Sequence, residues 1–109
     1  MFLLARKLSE LSPADIELIQ EAAGALARCG ERLEKALRGL RSAEDRLDSE
    51  HHSSKSISRR EAIAHYKAAR IRAEQARYVY IVQREAVGFR NHKFADLIYP
   101  LPPRRDLSV

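Results

Sequence analysis

The feature that most constrains this fold is a seven-residue recurrence of apolar side chains that runs from about residue 16 to residue 47. One position of the repeat is aliphatic in five successive heptads: Ile19, Leu26, Leu33, Leu40 and Leu47. The position three residues earlier reads Ile16, Ala23, Gly30, Leu37 and Glu44. Two such series on one helix form the seam of a coiled-coil-like pair. The pattern therefore predicts one long helix over residues 13–50 with a partner packed along it.

A third series of mostly small residues borders this seam and reads Asp15, Ala22, Cys29, Ala36 and Ala43. Small side chains widen the apolar stripe and let another backbone approach closely. We therefore expect this helix to contact two neighbours. Its start is indicated by Ser12 as a capping residue, Pro13 at the first helical position and Asp15 near the positive end of the helix dipole.

A second helix is predicted over residues 59–91. The segment before it, residues 51–57, is polar and aperiodic and is typical of a loop. Ser58 and Glu61 have the spacing of a capping box. The seam positions of this helix read Ala62, Ala69, Ala76 and Gln83, and Tyr66, Ala73, Tyr80 and Val87. Leucines facing alanines favour close packing, so the two helices are predicted to form an antiparallel hairpin about 50 Å long.

The terminal segments are predicted to cover part of this hairpin, within one all-α domain over residues 1–109. Residues 1–11 have the spacing of a short amphipathic helix, and residues 92–109 form a proline-containing tail. Their apolar side chains are Phe2, Leu4, Leu8 and Leu11 before the hairpin, and Phe94, Leu97, Ile98 and Tyr99 after it. A thin rod of two helices buries little apolar area, so it needs such cover.

The end of the second helix is apolar on more than one face, which indicates self-association. Four of its side chains lie away from the seam: Tyr78, Val82, Ala86 and Phe89. A second copy of the chain would cover this face and give a four-helix bundle. We therefore predict a homodimer.

Composition excludes several classes of protein. Charged residues make up 32% of the chain and hydrophobic residues 45%, which is typical of a folded domain rather than a disordered one. The single cysteine cannot form an intramolecular disulfide, which fits a reducing compartment. No apolar run reaches the length of a membrane span. We therefore expect a cytoplasmic protein.

The net charge of +5 is unevenly distributed. Residues 12–50 contain nine acidic and six basic side chains, whereas residues 51–93 contain three acidic and ten basic ones. The two halves either neutralise each other, which is the interpretation we favour, or leave a basic face for an anionic partner.

Much of the positive charge lies on one face of the second helix. The basic side chains there are Arg60, Lys67, Arg70, Arg77 and Arg84. Such a row could follow nucleic-acid phosphates, although no helix-turn-helix, zinc motif or aromatic stacking platform accompanies it. We favour salt bridges along the hairpin, in which Arg70, Arg77 and Arg84 lie beside Glu34 and Asp48.

No residue pattern predicts a catalytic, cofactor or metal site. His51 and His52 are adjacent in the loop without a carboxylate or cysteine at ligand spacing, so we interpret them as solvated side chains. Cys29 belongs to the small-residue series, which favours packing over a reactive thiolate.

Two motifs leave an alternative open. Gln83-Arg84-Glu85 interrupts the most apolar part of the second helix. A buried amide at Gln83 would fix the helix register, whereas a ligand-binding or catalytic role for the three residues would require a pocket. Pro100–Arg105 fits the P-x-x-P-x-R pattern of SH3 ligands, but we favour a stiff tail laid against the helices.

The stretch Tyr80–Asn91 resembles a segment of small bacterial helical-hairpin proteins of unknown function. In that group a Val-Gln-Arg-Glu run is followed by a glycine and an arginine near the end of the second long helix, as at residues 82–90 here. The resemblance implies a bacterial protein and carries no activity.

These observations favour a non-enzymatic helical hairpin that self-associates and acts as an adaptor or assembly module. One alternative is a nucleic-acid-binding accessory protein that uses the basic face of the second helix. Another is an enzyme whose site is assembled between the subunits of a helical bundle.

Overall fold

The computed structural model describes residues 8–50 and 56–107 of the chain. They form a short 3-10 helix, Leu8–Glu10, followed by the helices α1 (Pro13–Glu50), α2 (Ser56–Ala86) and α3 (Lys93–Ile98). The long helices α1 and α2 pack against each other as a hairpin, which confirms the predicted all-α fold. The predicted N-terminal helix, and with it Phe2 and Leu4, lies largely outside the described residues.

Helix α1 begins where the capping signals place it. The backbone N–H of Asp15 donates to Ser12 Oγ at 3.1 Å, and the N–H of Ser12 donates to Asp15 Oδ2 at 3.0 Å. These two bonds satisfy N–H groups that a helix start otherwise leaves without a partner. The N-terminus predicted from Ser12 and Pro13 is therefore confirmed.

The core of the molecule is the predicted seam. The buried side chains on α1 are Leu33, Leu37, Leu40 and Leu47 of the seam and Cys29 and Ala43 of the bordering small-residue series. Those on α2 are Ala62, Tyr66, Ala69, Ala73 and Tyr80, and Val87 is buried just after the helix ends. The largest of the fully buried side chains are Leu33 and Leu40, and both come from the aliphatic position of the repeat. The predicted seam is therefore confirmed from Leu33 to Leu47 of α1 and along the facing part of α2. Nearer the start of α1 it is wrong, because Ile16 is 45% exposed and Ala23 is also exposed. Cys29 packs as a small apolar side chain.

The start of α2 differs from the prediction. The helix begins at Ser56, so Ser58 lies inside its first turn and does not mark the boundary. The predicted capping box of Ser58 and Glu61 is therefore wrong. Glu61 instead forms an ion pair with Arg46 of α1, at 3.6 Å between oxygen and nitrogen.

The end of α2 also differs, because the helix stops at Ala86 rather than near residue 91. Gly88 has a φ of 102°, a conformation that L side chains rarely adopt. The N–H of Phe89 donates to the carbonyl of Arg84, and the N–H of Gly88 donates to that of Glu85. This pair of bonds is a Schellman motif, which ends the helix and turns the chain toward α3.

Replacing Gly88 by alanine is expected to lower the free energy of unfolding by about 1–2 kcal/mol, because alanine resists a positive φ. Gly39 provides a matched control, since it lies within α1 and a Cβ there would meet nothing within 4 Å. Gly39→Ala should raise stability by about 0.5–1 kcal/mol. Urea unfolding measures both variants, and changes of the same sign would contradict the turn at Gly88.

The C-terminal segment returns along the groove between α1 and α2. Tyr99 packs edge-to-face on Tyr80 with 5.3 Å between ring centroids. The Tyr99 hydroxyl lies over Gly30, only 3.1 Å from where a Cβ would be. Farther along, the N–H of Arg105 donates to the Tyr66 hydroxyl at 2.9 Å. The second neighbour predicted for α1 is therefore the tail of the same chain.

Of the four side chains predicted to attach the segment after α2, Tyr99 is the one that packs on the hairpin. Ala95 is buried and Tyr99 is half-buried, whereas Phe94, Leu97 and Ile98 remain exposed. A six-residue helix buries only one narrow face, and in α3 Ala95 occupies that face. The expectation that Phe94, Leu97 and Ile98 cover the hairpin is therefore wrong.

Candidate interaction surfaces

The outward face of α2 carries a second apolar series, which we call the outer stripe. It consists of the uncharged, exposed side chains Ile57, Ala64, Ala68, Ile71, Gln75, Tyr78, Val79, Val82 and Ala86. The seam and the outer stripe lie on opposite sides of α2. Residues two positions apart in a helix, such as Tyr80 in the seam and Val82 in the stripe, are separated by about 200° of rotation around the helix axis. The hairpin therefore cannot cover the stripe.

The residues predicted to mediate self-association lie on or beside this stripe. Tyr78 is 71% exposed, Val82 is 45% exposed and Ala86 is also exposed. Phe89 follows the end of the helix and is 43% exposed. Single exposed apolar side chains are normal, but a contiguous row of this length is typical of a binding surface. The sequence interpretation missed the part of the stripe that includes Ile57 and Ile71.

The basic row on α2 is divided between different environments. Arg60 and Lys67 are exposed, whereas Arg70 and Arg77 are half-buried and Arg84 is buried. The five residues that were predicted to share a basic face are therefore unequal in their access to solvent.

Arg70 and Arg77 have partners other than the predicted ones. Arg70 donates from Nε to Glu74 Oε1 at 2.9 Å and from Nη1 to the carbonyl of Pro102. Arg77 donates from Nη2 to Asp96 Oδ1 of α3 at 2.8 Å. Both side chains thus face the returning tail and α3, so they stabilise the C-terminal segment.

The predicted salt bridges to Glu34 and Asp48 are wrong. Glu34 pairs with Arg38 on its own helix at 3.2 Å. Asp48 accepts from Arg105 of the tail at 2.6 Å, and Glu44 accepts from the same guanidinium at 3.2 Å. The acidic side of α1 is therefore partly neutralised by Arg105 of the tail.

The ion pairs of the tail also shift the ionisation of the groups involved. The hydrogen bond from Arg70 lowers the pKa of the Glu74 carboxyl, and the nearby charge of Arg104, 3.0 Å away, acts in the same direction. The hydrogen bond to Asp48 raises the pKa of Arg105 above its ordinary value. Burial raises the pKa of the Tyr99 hydroxyl. Charge-assisted bonds of this kind hold the tail in its groove.

These contacts confirm the stiff-tail interpretation of Pro100–Arg105. The carbonyl of Pro102 is bonded by Arg70, and the Arg105 side chain is bonded by Asp48. Leu101 and Leu107 pack against the core. In this conformation the P-x-x-P-x-R pattern therefore lies against the helices.

The Gln83-Arg84-Glu85 motif lies beside a depression in the surface. Arg84 is only 6% exposed, and Gln83 is half-buried. The Arg84 guanidinium carbon lies 4.8 Å from the ring centroid of Phe89 and 5.9 Å from that of Tyr80. These side chains border an open depression of about 600 Å³. Of the three residues of the motif, Arg84 alone lines this depression, so a shared role for all three in binding a ligand there is not supported.

Among residues 8–50 and 56–107, no three His, Cys, Asp or Glu side chains are grouped so that they could hold a metal ion. His51 and His52 lie outside these residues, and His65 is exposed. No helix in the same two ranges combines the length and apolar character needed to cross a membrane.

Comparison of the chain with models of known families, with curated proteins and with solved structures gives no match. The resemblance carried by Tyr80–Asn91 therefore stays a prediction.

Proposed function

We propose that this chain is a non-enzymatic, self-associating helical hairpin that acts as an adaptor or assembly module. The observation that carries the proposal is the outer stripe, an exposed and uncharged series along α2. The seam of the same helix is already filled by α1, so the stripe remains available for a second partner.

The spacing of the stripe suits a helix as its partner. Ile71, Gln75, Tyr78 and Val82 follow one another at intervals of four, three and four residues, which keeps them on one face of α2. Residues 57–86 span about 45 Å at 1.5 Å per residue. Two copies related by a two-fold axis would pack their stripes together and complete a four-helix bundle.

An antiparallel arrangement pairs the largest side chains with one another. If two α2 helices cross between Ala76 and Arg77, Ile71 faces Val82 of the second copy and Gln75 faces Tyr78. The two helices then overlap over about residues 67–86, so Ala68 lies at the end of the contact and Ala64 lies just outside it. Each Å² of apolar surface removed from water contributes about 25 cal/mol, so this arrangement places the most favourable area at the centre.

Nucleic-acid binding has less support from the same helix. A protein that follows phosphates needs several basic side chains free to contact them. Arg70, Arg77 and Arg84 all donate hydrogen bonds within the chain. Of the five residues of the predicted basic face, the exposed Arg60 and Lys67 remain, and they are separated by two turns of helix.

Size-exclusion chromatography with light scattering tests self-association directly. We expect twice the monomer mass of 12.4 kDa at high micromolar concentration, with a return toward the monomer mass on dilution. A monomer mass throughout the dilution series would contradict the proposal. Tight DNA or RNA binding that weakens steeply with added salt would instead favour the nucleic-acid alternative.

A further inference from the structure

The Arg84 guanidinium is buried and lacks an acidic partner within residues 8–50 and 56–107. Its Nε donates to His92 Nδ1 at 3.4 Å, and its Nη2 donates to the carbonyl of Asn91 at 3.1 Å. Both acceptors are neutral when the imidazole accepts at Nδ1. Among the residues that the structure describes, no carboxylate forms an ion pair with Arg84. Glu85 approaches the far nitrogen of His92, at 3.8 Å, and does not line the depression.

A buried charge of this kind is unfavourable unless an opposite charge or strong hydrogen bonds compensate for it. The third guanidinium nitrogen, Nη1, has no acceptor among the described residues. No side-chain nitrogen or oxygen in this part of the chain is both fully buried and unbonded, so Nη1 keeps access to the outside. Arg84 also lines the depression, and its charge has no carboxylate partner among the described residues.

The lining of the depression defines the rest of the ligand. Its walls are mainly apolar or aromatic: Leu26, Tyr80, Phe89 and Phe94. Lys93 and Asn91 complete the lining, and Lys93 is exposed, so a second positive charge lies at the edge. A volume of about 600 Å³ lies within the range of small-molecule sites.

We propose that this depression binds a small organic carboxylate with an aromatic body. The carboxylate accepts from Arg84 Nη1 and is attracted by Lys93, while the ring lies among Phe89, Phe94 and Tyr80. Arginine suits this role because its planar fork matches the geometry of a carboxylate. The site does not depend on self-association, although Phe89 borders both surfaces.

Titration with benzoate tests the site, with benzamide as the matched neutral probe. Amide spectra of the ¹⁵N-labelled protein should show saturable shifts at Gly88 and Asn91, with benzoate binding about tenfold or more tighter than benzamide. Equal affinities would contradict a role for the charge of Arg84. Absence of saturable shifts with benzoate would contradict the site itself.

Three variants separate ligand binding from a structural role of Arg84. Arg84→Gln should abolish the preference for benzoate, but it also removes the bond to Asn91 that supports the turn. Lys93→Gln leaves that turn intact and should weaken benzoate several-fold with little effect on benzamide. Arg90→Gln, an exposed change of the same charge outside the lining, should leave both affinities unchanged. Equal weakening by Lys93→Gln and Arg90→Gln would show only a general attraction of anions and would overturn the proposal.

Discussion

Replacing Leu33 by alanine is expected to lower the free energy of unfolding by roughly 2–5 kcal/mol. Leu33 is 1% exposed and lies at the aliphatic position of the seam, where α1 faces the alanines of α2. Those alanines cannot extend into the space left by the removed atoms. The variant therefore loses both the burial of the side chain and the contacts around the cavity. Urea unfolding followed by helical circular dichroism measures the change at a fixed protein concentration.

Leu18→Ala is the matched control, because it makes the same chemical change on α1 at a side chain that is 53% exposed. Its effect should be within about 0.5 kcal/mol, as is usual for surface positions. A loss at Leu33 as small as that at Leu18 would mean that the two helices do not meet along the predicted seam.

The hairpin could be predicted because its core repeats locally along the chain. Each heptad from Ile19 to Leu47 indicates the same face, and Tyr66 and Tyr80 do the same on α2. The end of α2 was harder to place, because apolar spacing continues through Val87 and Phe89. Gly88 was the available signal, and its left-handed conformation ended the helix against that periodicity.

The spacing of residues within the tail does not predict where the tail lies on the hairpin. Its contacts join residues far apart in sequence, such as Arg105 with Tyr66 and with Asp48. The heptad position of Arg70 showed which face of α2 it occupies but not which segment lies opposite that face. The prediction that Glu34 and Asp48 form salt bridges with arginines of α2 was wrong for this reason.

The outer stripe and the depression at Arg84 also differ in how far the sequence predicts them. The exposed face with Tyr78 and Val82 could be predicted, since a helix that is apolar all round exceeds what one seam can bury. The depression at Arg84 depends on the turn at Gly88, which brings Phe89 and Asn91 back beside the guanidinium. The periodicity of a helix does not predict such a turn. From the sequence it follows only that a ligand-binding role for Gln83-Arg84-Glu85 requires a pocket.

Val82→Asp is expected to cause the largest change in assembly. Val82 lies on the outer stripe. A two-fold dimer contains this residue twice, so the substitution places two carboxylates in an apolar contact. Burying a charge without a partner costs several kcal/mol, so the dissociation constant should rise about 100-fold or more. The isolated chain should keep its helical content, because the side chain is 45% exposed there.

Ser42→Asp provides the charge control, since Ser42 is exposed on α1, away from the outer stripe. Light scattering across a dilution series should show a Ser42→Asp dimer that matches the wild type and a Val82→Asp monomer. If Val82→Asp stays dimeric at wild-type concentrations, the chain self-associates through another surface, and Phe94, Leu97 and Ile98 of α3 become the residues to change next. The outer stripe then needs a different partner, because its apolar side chains would otherwise remain exposed to water.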